Sequence, residues 1–442
     1  MKKWLALLLM VLLLTPCALT EKWDALPSWQ QMKQIIGDRE YLKDQLYVLR
    51  TYPDTVNDQV DGEMRALIDE MTQQGRAYLP TGKIKLMPAY LDVGATVFRT
   101  GEKWMSFLTI ARIAYEREQI YVDYDARVYN METGERLTLA HLFEEDSPAW
   151  DFLSQEVEKQ LSAYFMTETA PAEELSALSA REALEQASFT LTPAKLSLHF
   201  RADQLYPGKN TLMHVHLYYS QLREYMTDAG LEITDNSRYK MIALTYDDGG
   251  ARGTTLNVID QLRRYGANAT FFVVGTTMRN NHDVLSRQHD AGFAVQSHNY
   301  EHTTSNVTAE KIHKWRQRYD TEIDSIIGVR PTYMRAPGGK YIPYVKAGNG
   351  LPLIHWSVIS DDAGSKNVTK ISSKVIGNAQ DGGVILMHDL NTASNQYSQV
   401  ILENLEKKGY LFVTVDELFA HYGITLQPDT LYYSCEEIAE GK

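Results

Sequence analysis

After residue 240 the chain alternates between short apolar runs and longer stretches of helical periodicity, and few folds are compatible with that pattern. The apolar runs fall at 241–246, 269–274, 293–296, 331–335, 354–359, 383–387 and 411–415, and helical spacing marks 256–265, 284–291 and 309–327. Runs this short and this apolar read as strands buried on both faces, which is the signature of a parallel sheet covered by helices, either doubly wound or closed into a barrel. No internal repeat supports a solenoid. In both parallel architectures the loops at the C-terminal ends of the strands carry the chemistry, so those ends are where function is to be sought.

Polar residues of a particular kind stand at those ends. Met241-Ile-Ala-Leu-Thr-Tyr246 runs into Asp247-Asp248 and then Gly249-Gly250, so that one carboxylate can hold a cation while its neighbour takes a proton. His298-Asn-Tyr-Glu-His302 sets two imidazoles four residues apart, and on a helical turn both reach one ion. In Arg335-Ala-Pro-Gly-Gly339 the guanidinium can keep a carboxylate ionised through a bidentate contact, and the following backbone can offer N–H groups to an anion. Trp356-Ser-Val-Ile-Ser-Asp361-Asp362 again places acids after an apolar strand, and Gly383-Val-Ile-Leu-Met-His388-Asp389 ends a strand in histidine. Each signal alone has an ordinary reading as a turn, a solvent-facing histidine pair, a surface arginine, a capped turn or a structural imidazole. Five of them, in order and at strand ends, do not.

This ordered set, Asp-Asp, His-x-x-x-His, Arg-x-Pro, Asp and Leu-x-His, resembles the five motifs of the polysaccharide deacetylase family, the NodB-homology or carbohydrate esterase 4 group. The resemblance runs over about residues 240–423, and the whole chain is similar to bacterial peptidoglycan deacetylases that carry an extracytoplasmic N-terminal domain. It implies an α/β catalytic domain in the form of a distorted (β/α) barrel, preceded by a smaller α+β domain. It implies a metal triad of Asp248, His298 and His302, whose one carboxylate and two imidazoles suit Zn²⁺, with Co²⁺, Ni²⁺ and Mn²⁺ also compatible. By the same resemblance Asp247 is the catalytic base, taking a proton from the water that attacks an acetamide carbonyl, and His388 is the general acid that protonates the departing amine. Arg335 would fix Asp247 as a carboxylate and Asp362 would orient His388. Leu386 and Trp356 would wall the acetyl methyl, with Tyr246 and Gly338 as further substrate contacts. Three departures stand out. Gly338 replaces the family's aromatic residue, Tyr246 replaces a phenylalanine, and Ile359-Ser-Asp-Asp-Ala363 lacks the first Asp and the Trp of its motif, which leaves Asp361 and Asp362 as alternatives. The implied activity is metal-dependent N-deacetylation of an acetylated aminosugar polymer, first among them peptidoglycan, at N-acetylglucosamine or N-acetylmuramic acid. The alternatives are chitooligosaccharide deacetylation, O-acetyl-xylan esterase activity, and a catalytically silent glycan-binding protein of the envelope.

The remainder of the chain bounds where such an activity would operate. With 442 residues it exceeds one typical domain. Lys and Arg number 44 against 57 Asp and Glu, so 44 − 57 gives −13, and no basic stripe interleaved with aromatics is present. Nucleic acid is not an expected partner, and a monomer is expected. Lys2 and Lys3 precede an apolar run, 4–14, and then Thr15-Pro-Cys-Ala-Leu-Thr20, the pattern of an export signal. That run would rise only about 16 Å as a helix, too little to span a bilayer core. Export to the extracellular space or the cell envelope follows, with lipid anchoring at Cys17 as the alternative. Cys435 is the only other cysteine, so no disulfide framework supports the fold.

The expected layout is a signal at 1–20, a helical stalk or domain start at 21–80 (helical spacing at 29–36 and 64–71), an α+β accessory domain at 81–234, a deacetylase domain at 235–425 and a tail at 426–442. Within the accessory domain, strands are expected at 121–129, 136–139, 189–200 and 212–219, with a helix at 150–165. The segment 130–143 with its following helix, Phe189-Thr-Leu-Thr and Tyr219-Ser-Gln-Leu222 resemble a domain of unknown function found before extracytoplasmic deacetylases and in some anti-sigma factors, which implies wall binding, enzyme positioning or plain packing. A polar joint, Asp235-Asn-Ser-Arg238, suggests that the part after it would fold and react by itself.

Overall fold

The computed structural model describes residues 34–42, 45–81, 84, 87–436 and 438–439. The export signal and Cys17 lie outside the described residues. Of the helical spacing read at 29–36, residues 29–33 lie outside the described residues and 34–36 belong to strand β1 (Gln34–Tyr41), which runs antiparallel to β2 (Leu46–Asp54). In β2 Leu46 and Val48 are buried on either side of a less buried Tyr47, the alternation of a strand. The helix at Asp58–Gly75 is as expected. Asn57 caps it by accepting from the N–H groups of Gln59 and Val60, and Val60, Met64, Ile68 and Met71 turn inward onto the sheet. Strands β3 (Ala89–Thr100), β4 (Trp104–Tyr115) and β5 (Glu118–Asn130) complete a sheet in the order β1-β2-β3-β4-β5, parallel only at β2/β3.

Residues 136–139 do not form the expected strand: Arg136 makes a single bridge to Tyr129 and the chain turns at Leu139–His141. A helix at Ala149–Leu161 then packs beside a second, antiparallel sheet of β6 (Phe189–Leu191), β7 (Lys195–Arg201) and β8 (Leu212–Tyr218).

The third sheet contains β9 (Lys240–Asp248), β10 (Thr270–Val273), β11 (Ala294–Ser297), β12 (Leu353–Ile354), β13 (Val358–Ile359), β14 (Gly383–His388) and β15 (Tyr410–Val413), joined by β16 (Leu431–Tyr432) and β17 (Ile438–Ala439). One edge of β9 pairs in parallel with β14; the other pairs with β15 along its first half and β10 along its last. From β10 the path passes to β11, bridges through Met334 to β12, and returns along the chain to β13 and so to β14. A circuit of short, uneven strands is a distorted (β/α) barrel, here following a mixed α+β domain. The runs at 331–335 and 354–359 are therefore less regular than expected, the first reduced to a bridge at Met334 and the second split in two. Within the expected tail, Leu431–Tyr432 (β16) pairs with β12, so that part is built into the sheet.

Alternation along β9 decides what each residue touches. Ile242, Leu244 and Tyr246 join the core under the helices Arg252–Arg264 and Ser394–Lys407, while Met241 and Ala243 pack with Phe272, Val384 and Val413 in the barrel interior. Each large apolar side chain buried this way contributes about 1.5–3 kcal/mol.

The joint before the barrel is not a loose linker. Asn236 is buried, donates to Thr100 Oγ1 and Pro193 O, and accepts from the Gly101 N–H. Charges also pair across the boundary: Arg99 with Glu406, Lys195 with Asp416 and Glu417, and Arg287 with Asp92, which also meets Arg112 of its own sheet. Asp290 accepts from Thr211 Oγ1 at 2.6 Å and from the Leu212 N–H at 2.8 Å. Among the described residues no helix is long and apolar enough to cross a membrane.

Candidate metal and catalytic site

Strand parity alone would send Asp248 to the helix-covered face with Tyr246, yet both acids of the pair reach one cleft. The backbone explains it: Asp248, Gly249 and Gly250 are all left-handed, at φ 81°, 64° and 81°. For a residue with a Cβ that conformation costs on the order of 1–3 kcal/mol, and two glycines after it make the turn possible. A Cβ on Gly249 would lie 2.9 Å from Val273 Cγ2, so the loop is also sterically tight.

The turn brings Asp248 Oδ1 to 3.5 Å from His302 Nε2 and 3.7 Å from His298 Nε2. One ligand atom from each of these residues lies within 4.8 Å of the others. His298 is buried at the end of β11, and its Nδ1–H donates to Arg335 O at 2.9 Å, which leaves the Nε2 lone pair facing the carboxylate. Burial pulls the His298 pKa down, against the opposing pull of Asp247 and Asp248, so the imidazole is held in its neutral, ligating form. Asp248 Oδ1 is buried and has no hydrogen-bond partner. An orphaned carboxylate oxygen facing two imidazole lone pairs is a poor arrangement in isolation and a good one around a divalent cation, so the donor set fits a metal.

Asp247, one residue earlier, is buried and points into the barrel. Arg335 Nη1 donates to its Oδ1 at 2.7 Å and to Thr245 Oγ1 at 2.6 Å. The expected bidentate clamp is a single contact, because the other guanidinium donors go to Ile354 O at 3.1 Å and His355 O at 2.7 Å. Those bonds, with the Phe272 ring 4.3 Å from Arg335 Cζ, lock the arginine in place. Opposite Asp247 in the β9/β14 register stands His388. Its Nδ1–H donates to Asp362 Oδ1 at 2.8 Å, and its backbone N–H to Asp362 Oδ2 at 2.8 Å. Burial by itself would lower the pKa of His388; the bond to Asp362 and the charges of Asp362, Asp247 and Asp248 outweigh it and raise the pKa to about 9. Asp362 is held below the usual carboxylate range by His388, Ser360 and Tyr397 in spite of its burial.

These groups open on one cleft of about 630 Å³, lined by Asp247, Asp248, His298, His302, Gly338, Trp356, Asp362, Leu386 and His388. The structure thus gathers all but one of the sequence-expected residues in the cleft or, for Arg335, directly behind Asp247. Tyr246 is the exception: it is wholly buried, stacks on Phe271 and bonds Ser398 Oγ at 2.9 Å, so it is a core residue and not a substrate contact. Of the two acids after Ser360, Asp362 meets His388, whereas Asp361 turns outward to Lys374. The Gly339 N–H is taken by Ala336 O at 3.0 Å, while Gly338 lines the cleft.

Sequence reasoning missed several supporting groups. Tyr397 donates to Asp362 Oδ2 at 2.6 Å, and Ser360 to its Oδ1 at 2.6 Å. Asn391 holds the 362–365 loop through Asp362 O and Ser365 O, and His355 stacks on Trp356 with ring centroids 3.7 Å apart. Their only sequence signal is proximity to a motif, since the contacts are made in space.

A family model described as polysaccharide deacetylase matches residues 234–350. The chain is 35% identical over 204 residues to the peptidoglycan-N-acetylglucosamine deacetylase PgdA of Listeria monocytogenes, a match covering 46% of this chain and 43% of that protein. It is 33% identical over 189 residues to the peptidoglycan-N-acetylmuramic acid deacetylase PdaC of Bacillus subtilis, covering 42% and 40% respectively. A peptidoglycan-N-acetylglucosamine deacetylase of Bacillus cereus is 32% identical over 212 residues, which are 43% of this chain and 92% of that one. The matches to the Listeria and B. subtilis proteins thus span less than half the length of either.

Proposed function

The chain belongs to the polysaccharide deacetylase family, and from that premise we propose that it is an exported, metal-dependent hydrolase that removes N-acetyl groups from an aminosugar polymer of the bacterial envelope, peptidoglycan. The observation that carries this reading is the pairing of Asp247, pinned by Arg335, with His388, pinned by Asp362, beside the Asp248, His298 and His302 cluster. Two similar proteins are named for opposite sugars of the same polymer, N-acetylglucosamine and N-acetylmuramic acid.

A divalent cation held by Asp248, His298 and His302, Zn²⁺ by donor type, would supply Lewis-acid chemistry at the cleft. With Oδ1 engaged by Arg335, Asp247 is left with Oδ2 to take a proton from the attacking water. The water oxygen bonds the acetamide carbon, and the Gly338 N–H would serve as backbone donor to the developing oxyanion. With Nδ1–H committed to Asp362, His388 uses Nε2 to give its proton to the sugar nitrogen as the C–N bond breaks, releasing acetate and a free amine. Leu386 and Trp356 bound the space for the acetyl methyl. The amines would raise the positive charge of the glycan.

The test is mass spectrometry of purified wall glycans, chitooligosaccharides and acetylated xylan after incubation with metal-loaded protein. Loss of acetyl from N-acetylglucosamine or N-acetylmuramic acid is the expected result. Acetate released from xylan alone would replace this reading with an esterase, and no release from any polymer would leave a glycan-binding protein.

A further inference from the structure

Asp248 meets the two imidazoles only because three successive residues adopt left-handed backbone, and two of those residues are glycines, which by themselves hold no conformation. Some other group must fix the loop. We infer that Asp389 is a positioning residue for the metal site, anchoring the turn after Asp248 so that its carboxylate is preset toward His298 and His302. The inference rests on the reading of those three residues as a metal triad.

Asp389 directly follows His388, which lies opposite Asp247 in the parallel register, so its side chain comes level with the turn beyond Asp248. It is completely buried. Its Oδ1 accepts the Gly249 N–H at 3.0 Å, and its Oδ2 accepts the Thr255 hydroxyl at 2.6 Å. Gly249 begins the left-handed pair and Thr255 lies in the first turn of the helix Arg252–Arg264, so one carboxyl group ties both ends of the loop. On the other side the Val274 N–H donates to Asp248 O at 3.1 Å. The loop is thus held between β10 and the end of β14. Without Asp389 the buried Gly249 N–H loses its acceptor and the glycine pair is free to relax, and each relaxed state carries Asp248 away from the imidazoles.

The experiment measures Co²⁺ affinity by chelator competition and the visible absorption spectrum of the Co²⁺-loaded full-length chain, in wild type, Asp389→Ala, Asp389→Asn and Thr255→Val. Circular dichroism of each metal-free variant reports whether it is folded. Asp389→Ala should bind Co²⁺ about 10–100-fold more weakly and with an altered spectrum, as is typical when a group supporting a ligand is lost. Asp389→Asn, whose amide oxygen can still accept from Gly249, should recover most of that affinity, and Thr255→Val should show a smaller loss. A folded Asp389→Ala with wild-type affinity and spectrum overturns the inference, as does an Asp389→Asn as weak as the alanine variant. Should Asp389→Ala not fold, wild-type affinity in Thr255→Val overturns it instead. Wild type that binds no Co²⁺ overturns the triad reading and this inference together, whereas metal-binding wild type without deacetylase activity overturns the proposed function alone.

Discussion

Single side chains divide the work of the cleft, and the division is measurable. Asp247 and His388 sit beside the ligand cluster without belonging to it, so Asp247→Asn and His388→Ala should each retain bound metal while kcat/KM falls by about 10²–10⁴. Metal analysis run alongside kinetics checks both halves, and near wild-type turnover in Asp247→Asn would remove the base from its role. Asp362 offers a second test through pH. The donor role needs protonated His388, which is present below its pKa, and Asp362 is the chief cause of the rise to about 9. The activity of wild type should therefore persist above the ordinary histidine range and fail as pH climbs through the raised pKa. In Asp362→Asn the alkaline limb of kcat/KM should move to lower pH, and an unmoved limb would mean that another group supplies the proton. Of Asp361 and Asp362, Asp362 is the one that bonds the imidazole, so the pH test is placed there.

Among the elements, β9 and the loop after it carry the most constraint. The strand is legible from its unbroken apolar run, and the positions of its acids follow from its end. That both acids enter the cleft follows from the left-handed turn, which the Gly249-Gly250 pair permits. Gly249→Ala should lower stability by about 1–3 kcal/mol, since a side chain there adopts a disfavoured φ and its Cβ meets Val273. It should weaken metal binding as well. Denaturant unfolding and a metal titration of the variant test the claim, and wild-type values in both would show that the turn is not the strained element described. The same element explains the fate of Tyr246. Its neighbour Asp247 points inward, so Tyr246 points outward beneath the helices and cannot touch substrate.

For the molecule as a whole, the boundary between the α+β domain and the barrel behaves as an interior. A fragment of residues 236–442 would strip Glu406 of Arg99, Asp416 and Glu417 of Lys195, and Asp290 of its bonds from Thr211 and the Leu212 N–H. Breaking one such buried pair typically costs about 3–5 kcal/mol, comparable with the whole stability of many domains. The fragment should therefore be aggregated, or unfold at markedly lower temperature and denaturant concentration than the full chain, with loss of deacetylation even on soluble oligosaccharides. A fragment with the unfolding midpoint of the full-length protein would restore the view of two separable units. Domain separability was the expectation drawn from the polar composition of Asp235-Asn-Ser-Arg238, and the burial and bonding of Asn236 argue against it.

What the amino-acid sequence determined by itself is the class of the C-terminal half and the order of its functional groups. Both are local properties: apolar runs alternating with helical spacing impose a parallel sheet, and a parallel sheet collects its strand ends on one face. The tertiary structure alone decided which neighbours those groups have. Asp389 reaches Gly249 across 140 residues, Tyr397 reaches Asp362 across 35, and Arg335 reaches Asp247 across 88. No periodicity within a single element encodes such pairings, because they depend on register between strands and on how a closed barrel brings distant ends together.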